Sequence, residues 1–183
     1  MGFKKSETHL EGLVIIDPDV FADERGFFKE TYNQNHFKDI GLDLKFVQDN
    51  VSYSQKGTLR GLHFQAPPHE QGKLVSVLKG TAIDVAVDIR KSSPTYGQHI
   101  AVEISGENHR MVYVPPGFAH GFSVLSLDCL FCYKCTGMYN KQAEGGILWN
   151  DPDLNIDWQV ETPIISGKDQ QNTLFKDFET PFK

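Results

Sequence analysis

Short runs of β-branched and aromatic residues, broken by Gly, Pro, Asn and Asp, make up most of this chain. Such runs at intervals of about 8–12 residues predict an all-β sandwich or barrel with a few short helices. The spacing predicts strands over Leu13–Ile16, Phe27–Tyr32, Thr58–Gln65, Leu74–Leu78 and Ala82–Ile89. Further strands are expected over His99–Ile104, Arg110–Val114, Gly121–Val124 and Cys129–Thr136. Asn33–Ile40 is the best helical stretch, with Asn33 or Asn35 able to cap it and Gly41 to end it. A helical turn is expected beyond Gly167, where the pattern is weak.

Alternation is clearest in Thr81–Arg90. Ile83, Val85, Val87 and Ile89 fall on one face, which must be core, and Ala82, Asp84, Ala86 and Asp88 fall on the other. A face with two carboxylates could line a cavity, but on an ordinary antiparallel strand it is expected to meet solvent.

The 183 residues suit one compact domain spanning 1–183, and an apolar share of 39% supplies a core. No run approaches the roughly 18 apolar residues of a membrane span. The start, Met1-Gly2-Phe3-Lys4-Lys5-Ser6, lacks the apolar stretch of a secretory signal, so a soluble cytoplasmic protein is expected. A net charge of −6 argues against nucleic-acid binding through a basic patch, though not against a small anionic ligand held by a few Lys and Arg. The cysteines, Cys129, Cys132 and Cys135, are a poor disulfide framework. Strand alternation sends Cys132 to the face opposite Cys129 and Cys135, so buried free thiols are expected rather than a zinc site.

Four clusters carry possible chemistry. In Leu59-Arg60-Gly61-Leu62-His63-Phe64-Gln65, followed by Gln71-Gly72-Lys73, a strand presents His63 beside a glycine. A lone strand histidine is more often structural, yet positive charge from Arg60 and Lys73 would favour the neutral form that a general base needs. Alternation puts Arg60 on the face opposite His63, so a shared site requires a twist, bulge or strand end there. In Val114-Pro115-Pro116-Gly117-Phe118-Ala119-His120-Gly121-Phe122, a tight bend delivers His120 at a strand start, although such a bend could serve only to close a barrel. The form Pro-x-Gly-x-x-His resembles the second motif of the cupin superfamily. Tyr133 shares a strand face with Phe131 and Cys135; it is a packing residue unless a histidine faces it across a cavity, where it becomes a proton donor. Ser166-Gly167-Lys168-Asp169 would by itself be an ordinary surface loop.

Taken together, these clusters closely resemble the dTDP-4-dehydrorhamnose 3,5-epimerase family. The matching stretches begin with Asp23-Glu24-Arg25-Gly26-Phe27-Phe28-Lys29-Glu30, Gln48-Asp49-Asn50-Val51-Ser52 and the His63 and Lys73 segments. They continue with Asp84-Val85-Ala86-Val87-Asp88-Ile89-Arg90, Ser93-Pro94-Thr95-Tyr96-Gly97 and Pro116-Gly117-Phe118-Ala119-His120-Gly121-Phe122. Tyr133-Lys134, Trp149-Asn150-Asp151-Pro152 and Ser166-Gly167-Lys168-Asp169 complete them, in order over roughly residues 10–170.

The resemblance implies a cupin-type jelly roll, a homodimer in which an N-terminal strand joins the partner's sheet, and a dTDP-linked 4-keto-6-deoxyhexose bound in the barrel. It implies no cofactor and no metal, and a place in dTDP-L-rhamnose biosynthesis, a route to cell-surface polysaccharide. By matching positions, His63 is the base, Asp169 orients and polarises it, Tyr133 is the proton donor and Lys73 stabilises the enolate oxygen. Arg60 and His120 contact substrate. Arg25, Glu30, Gln48 and Asn50 resemble nucleotide and diphosphate contacts, and the resemblance allows Arg25 and Glu30 to come from the other subunit. Glu144 and Lys168 match further substrate contacts, and Tyr139 a stacking residue.

The chemistry agrees with the residues. In a 4-keto sugar the protons at C3 and C5 are both α to the carbonyl, and inversion needs a base, an acid on the opposite face and a cation at O4. No dinucleotide fingerprint is present. Other readings have expected signatures. A metal-dependent cupin would gather three histidines and a glutamate, but Gln65 follows His63 where a ligand would stand, and His120 has only His69 or Glu70 as candidate partners. A ketoisomerase, or an epimerase acting on C3 or C5 alone, would share the fold and the enolate. A non-catalytic sugar-binding cupin would lack the base, acid or cation, and His63, Tyr133, Lys73 and Asp169 are all present.

Overall fold

A computed structural model describes residues 2–183. The first strands are β1 (Phe3–Glu7), β2 (Val14–Pro18), β3 (Val20–Asp23) and β4 (Gly26–Lys29), followed by helix α1 (Gln34–Asp39). Then come β5 (Gln48–Gln55), β6 (Leu59–Gln65), β7 (Lys73–Lys79), β8 (Thr81–Asp88) and β9 (His99–Ser105). The last are β10 (Met111–Val114), β11 (Phe118–Val124), β12 (Asp128–Cys135) and β13 (Glu144–Gly146), with 3-10 turns at Lys141–Ala143, Asp169–Gln171 and Phe175–Asp177. Every strand expected from the sequence is present, although β4 stops at Lys29 and β11 starts at Phe118. β1, β3, β5 and β13 were not anticipated by the apolar pattern. Asn33 is the helix cap: its Oδ1 accepts from the backbone N–H groups of Asn35 and His36.

The fold is all-β. One antiparallel sheet runs β1-β2-β10-β7-β12-β5 and a second runs β13-β6-β11-β8-β9, while β3 and β4 form a separate hairpin. The sheets face each other across a core that joins Val75, Val77, Val112 and Phe131 of the first to Ala82, Ala86, Val102 and Phe122 of the second. Outside the second sheet, the segment after β13 packs Ile147, Leu154 and Trp158 onto Leu62, Ile83, Val85 and Val87. Outside the first, Phe37 of α1 covers part of β2, β7 and β10 with Val14, Leu74 and Met111.

Expected solvent exposure of the acidic face of β8 is corrected by this arrangement. Asp84 and Asp88 are 2% and 0% exposed. Ala82 and Ala86 of that face lie in the core between the sheets, so the acidic face looks into the barrel and the apolar one packs beneath the C-terminal segment. The two carboxylates have different tasks. Asp88 accepts from the Arg90 guanidinium and from the Ser93 and Thr95 hydroxyls, tying down the loop before β9. Burial alone would raise its pKa, but these donors bring it down to about 2. Cys129 and Cys135 are buried free thiols, and Cys132 is half-buried on the opposite face of β12. Among the described residues no helix is long and apolar enough to cross a membrane.

Candidate active site

A cavity of about 570 Å³ opens between the sheets and is lined by Arg60, His63, Lys73, His120, Phe131, Tyr133, Lys168 and Asp169, among others. An adjoining recess of about 250 Å³ shares His63, Lys73 and Tyr133 and adds Gln48, Asn50, Tyr139 and Glu144. Most of the residues singled out in the sequence therefore meet in one place. Arg25 and Glu30 do not line either volume. Arg25 pairs with Asp23 at the tip of the exposed β3–β4 hairpin, and Glu30 bonds to Asn33 and His36 at the start of α1.

Local backbone chemistry brings His63 and His120 together. After Pro115-Pro116, Gly117 adopts φ +90°, with Arg90 packed where a side chain would stand, and the chain turns into β11. His120 then lies directly opposite His63 on β6. Between this pair and the next one, Phe122 opposite Arg60, the register shifts: Gly61 and Leu62 stand where β11 has Gly121 alone. Gly61 makes this possible, since a Cβ there would lie 2.6 Å from the Gly121 Cα. The extra residue acts as a β-bulge and brings Arg60 to the cavity with His63, resolving the conflict with strict alternation. The Arg60 Nε–H donates to Ser54 Oγ at 3.2 Å.

His63 Nε2 lies 2.6 Å from Asp169 Oδ1, a contact between residues 106 positions apart. Asp169 is 3% exposed, accepts from the Gly61 N–H and is positioned by the 3-10 turn it begins. Burial would raise its pKa, but hydrogen bonding to His63, Gly61 and Ser166 holds it below the usual carboxylate range. The other ring nitrogen of His63 makes no hydrogen bond among the described residues. Tyr133, on β12, also lines the cavity; burial pushes its phenol pKa up, keeping the hydroxyl protonated.

Lys73 begins β7 and is half-buried in the cavity wall. No carboxylate lies within 4.0 Å of its ammonium among the described residues, and burial lowers its pKa, opposed by the charges of Cys135, Asp84 and Glu144. An ammonium held in such a place is short of a counter-charge and suited to an oxyanion. At the rim, the Tyr139 hydroxyl donates to Glu144 Oε2 at 3.0 Å, Lys168 pairs with the same carboxylate, and Gln48 accepts from the Tyr139 N–H. Gln65 accepts from the Asn140 N–H, and no three side chains of ligating type converge among the described residues.

Two features of the site were missed at the level of sequence. Asp84 Oδ1 lies 2.6 Å from His120 Nε2, a second buried carboxylate–imidazole pair. Ser52 of β5 also lines the cavity, its Oγ buried and without a partner. The carboxylates on β8 were the visible signal for the first, whereas β5 is too polar to have been read as a strand.

Comparison with known proteins gives one family. A sequence model described as dTDP-4-dehydrorhamnose 3,5-epimerase matches residues 7–177. The chain is 51% identical over 172 residues to the dTDP-4-dehydrorhamnose 3,5-epimerase of Shigella flexneri, covering 93% of this chain and 95% of that protein. A crystal structure of the enzyme of that name from Elizabethkingia anophelis superposes with a TM-score of 0.91 at 50% identity, covering 97% of this chain and 98% of that one. A crystal structure from Legionella pneumophila, a dTDP-6-deoxy-D-glucose-3,5-epimerase in complex with dTDP-4-keto-L-rhamnose, gives 0.93 at 47% identity, covering 97% of this chain and 95% of that one.

Proposed function

The chain belongs to the dTDP-4-dehydrorhamnose 3,5-epimerase family, and from that premise we infer that it is an isomerase with a cupin-type fold. It inverts C3 and C5 of dTDP-4-dehydro-6-deoxy-D-glucose to give dTDP-4-dehydro-L-rhamnose, in dTDP-L-rhamnose biosynthesis.

The geometry of the site supports a role for each of its residues. His63 takes the proton from a carbon α to the C4 carbonyl, and Asp169 behind Nε2 fixes the ring and stabilises the imidazolium that results. Electrons from the broken C–H bond move to O4, where the Lys73 ammonium meets the enolate. The protonated Tyr133 phenol returns a proton to the same carbon from the other side, inverting it. Once His63 has released its proton to solvent and Tyr133 has regained one, repetition at the second α carbon completes the conversion. Arg60 and His120 hold the sugar, while Gln48, Asn50, Tyr139, Glu144 and Lys168 form the rim along which the nucleotide and its diphosphate lie. The observation that carries this reading is the convergence on one cavity of a carboxylate-backed histidine, a protonated tyrosine and a lysine that has no ion-pair partner among the described residues.

We read residues 1–183 as a single domain acting in the cytoplasm as a homodimer, its product destined for cell-surface polysaccharide such as lipopolysaccharide. Support for the dimer comes from apolar surface. Phe21, Phe27 and Phe28 of the β3–β4 hairpin are 50%, 56% and 59% exposed, and Val51, Tyr53 and Leu78 stand open on the outer face of the first sheet. A partner covering this surface is the natural place for Arg25, and for an N-terminal strand, to reach the neighbouring sheet.

The test is incubation with dTDP-4-keto-6-deoxyglucose in D₂O. Deuterium at both C3 and C5 supports the double epimerase; deuterium at one carbon makes it a single-centre enzyme; none at either, from folded protein that binds the sugar nucleotide, overturns the assignment.

A further inference from the structure

We propose that Asp84 is a positioning residue for this reaction, its carboxylate fixing the His120 imidazole so that Nδ1 is presented to the sugar beside Lys73. The inference rests on the assignment of the cavity to the sugar.

Asp84 lies in the middle of β8, 2% exposed, on the face whose other members are Ala82 and Ala86 at the core and Asp88 at the strand's end. Asp88 earns its burial by binding a guanidinium and two hydroxyls. Asp84 has a single hydrogen bond among the described residues, to His120 Nε2. Among those residues it holds no turn, caps no helix and bonds no backbone N–H. A buried carboxylate with one donor is a poor structural element, since an apolar side chain in that position would serve the core as well or better.

Its surroundings give it another use. A carboxylate only accepts, so the contact places a proton on Nε2 and leaves Nδ1 of a cavity-lining ring as the nitrogen offered to a ligand. Without that contact an imidazole can turn about χ2, which puts ring carbons where its nitrogens stood, or can take the other tautomer. The ring also lies against Phe131, with centroids 6.3 Å apart, and Phe131 stacks on Phe122, so one face is already fixed and the carboxylate selects the rotation.

Steady-state kinetics on dTDP-4-keto-6-deoxyglucose for Asp84→Ala, Asp84→Asn, His120→Ala and the Asp84→Ala/His120→Ala double variant test this. Asp84→Ala is expected to lower kcat by roughly 10- to 100-fold, by analogy with loss of the carboxylate behind a metal-bound histidine, with little change in KM. Asp84→Asn is expected to recover most of the loss, because its side-chain oxygen can accept the same bond. In the His120→Ala background, removing Asp84 is expected to cost nothing further. Additive losses in the double variant, or a normal kcat for folded Asp84→Ala, would overturn the proposal. If Asp84→Ala does not fold, Asp84→Leu, which removes the acceptor and keeps the bulk, takes its place in the same cycle with His120→Ala. An inactive wild type would remove the reading of the cavity and this proposal with it, whereas an active wild type with additive losses removes Asp84 alone.

Discussion

His63 and His120 stand directly opposite one another on β6 and β11, and each has its Nε2 2.6 Å from a buried carboxylate. The carboxylates come from different parts of the chain. Asp84 belongs to the barrel wall, while Asp169 arrives on a 3-10 turn that packs against β6 from outside the strand order. One cross-strand pair thus joins a histidine oriented by the sheet to a histidine oriented by the C-terminal segment.

A base and an acid on opposite sides of the sugar should fail differently. Both His63→Ala and Tyr133→Phe are expected to lose about 10²–10⁴ in the rate of inversion. In D₂O, His63→Ala should also lose deuterium uptake at C3 and C5. Tyr133→Phe should still exchange there with retention, because His63 can return a solvent-derived deuteron from the side it took the proton. Loss of exchange in Tyr133→Phe would reverse the two roles.

Lys73 sets activity against stability. Its folded-state pKa lies below the ordinary lysine value because burial disfavours the ammonium. Between the two values the unfolded chain binds more protons than the folded one, so stability rises with pH across that window. Lys73→Met is expected to flatten this rise and to increase the midpoint of urea unfolding at neutral pH, while lowering turnover by about 10²–10³, as for loss of an oxyanion donor. A variant that is less stable than wild type at neutral pH would show that the ammonium is satisfied in the free protein.

Asp88 gives the opposite pH dependence. Its pKa is depressed to about 2, so its contribution is complete above the unfolded carboxylate value near 3.8 and is lost as pH falls towards 2. The linkage amounts to on the order of 2 kcal/mol. Asp88→Asn should be less stable than wild type at pH 6 and converge with it near pH 2 in urea titrations. Parallel curves at all pH values would mean that the Arg90, Ser93 and Thr95 bonds do not carry the acid sensitivity.

Dimerisation through the β3–β4 hairpin predicts a linked loss. Phe21→Ser/Phe28→Ser should sediment as a monomer, and Arg25→Ala should remain dimeric while raising KM for the sugar nucleotide by roughly tenfold, about the value of a charge-assisted contact to phosphate. A monomeric wild type, or an Arg25→Ala with unchanged KM, would separate the hairpin from the site.

How much of this was legible before the structure depended on where side chains point. The apolar runs of β6, β7, β8 and β12 announced themselves, and so did the Asn33 cap. β5 did not, because Gln48, Asn50, Ser52 and Ser54 all turn inward and its outward residues Val51 and Tyr53 are exposed, inverting the usual rule of apolar inside. The same inversion made Asp84 look like a solvent-facing residue. In both cases a polar inward face was the mark of a cavity. The bulge at Gly61, which restores Arg60 to the site, is a matter of cross-strand register and has no local signature beyond the glycine itself. The His63–Asp169 contact depends on tertiary docking of two distant segments.

That docking has a consequence for the newly made chain. A ribosome that has released the protein as far as Gly146 has delivered all strands of both sheets and, with them, His63, Lys73, His120 and Tyr133. At that point the second sheet still lacks the cover of Ile147, Leu154 and Trp158, and the base lacks its carboxylate, which emerges 23 residues after Gly146. Synthesis therefore delivers base, acid and ammonium first, and the segment that brings the carboxylate also brings the last wall of the cavity, Ile164 to Asp169.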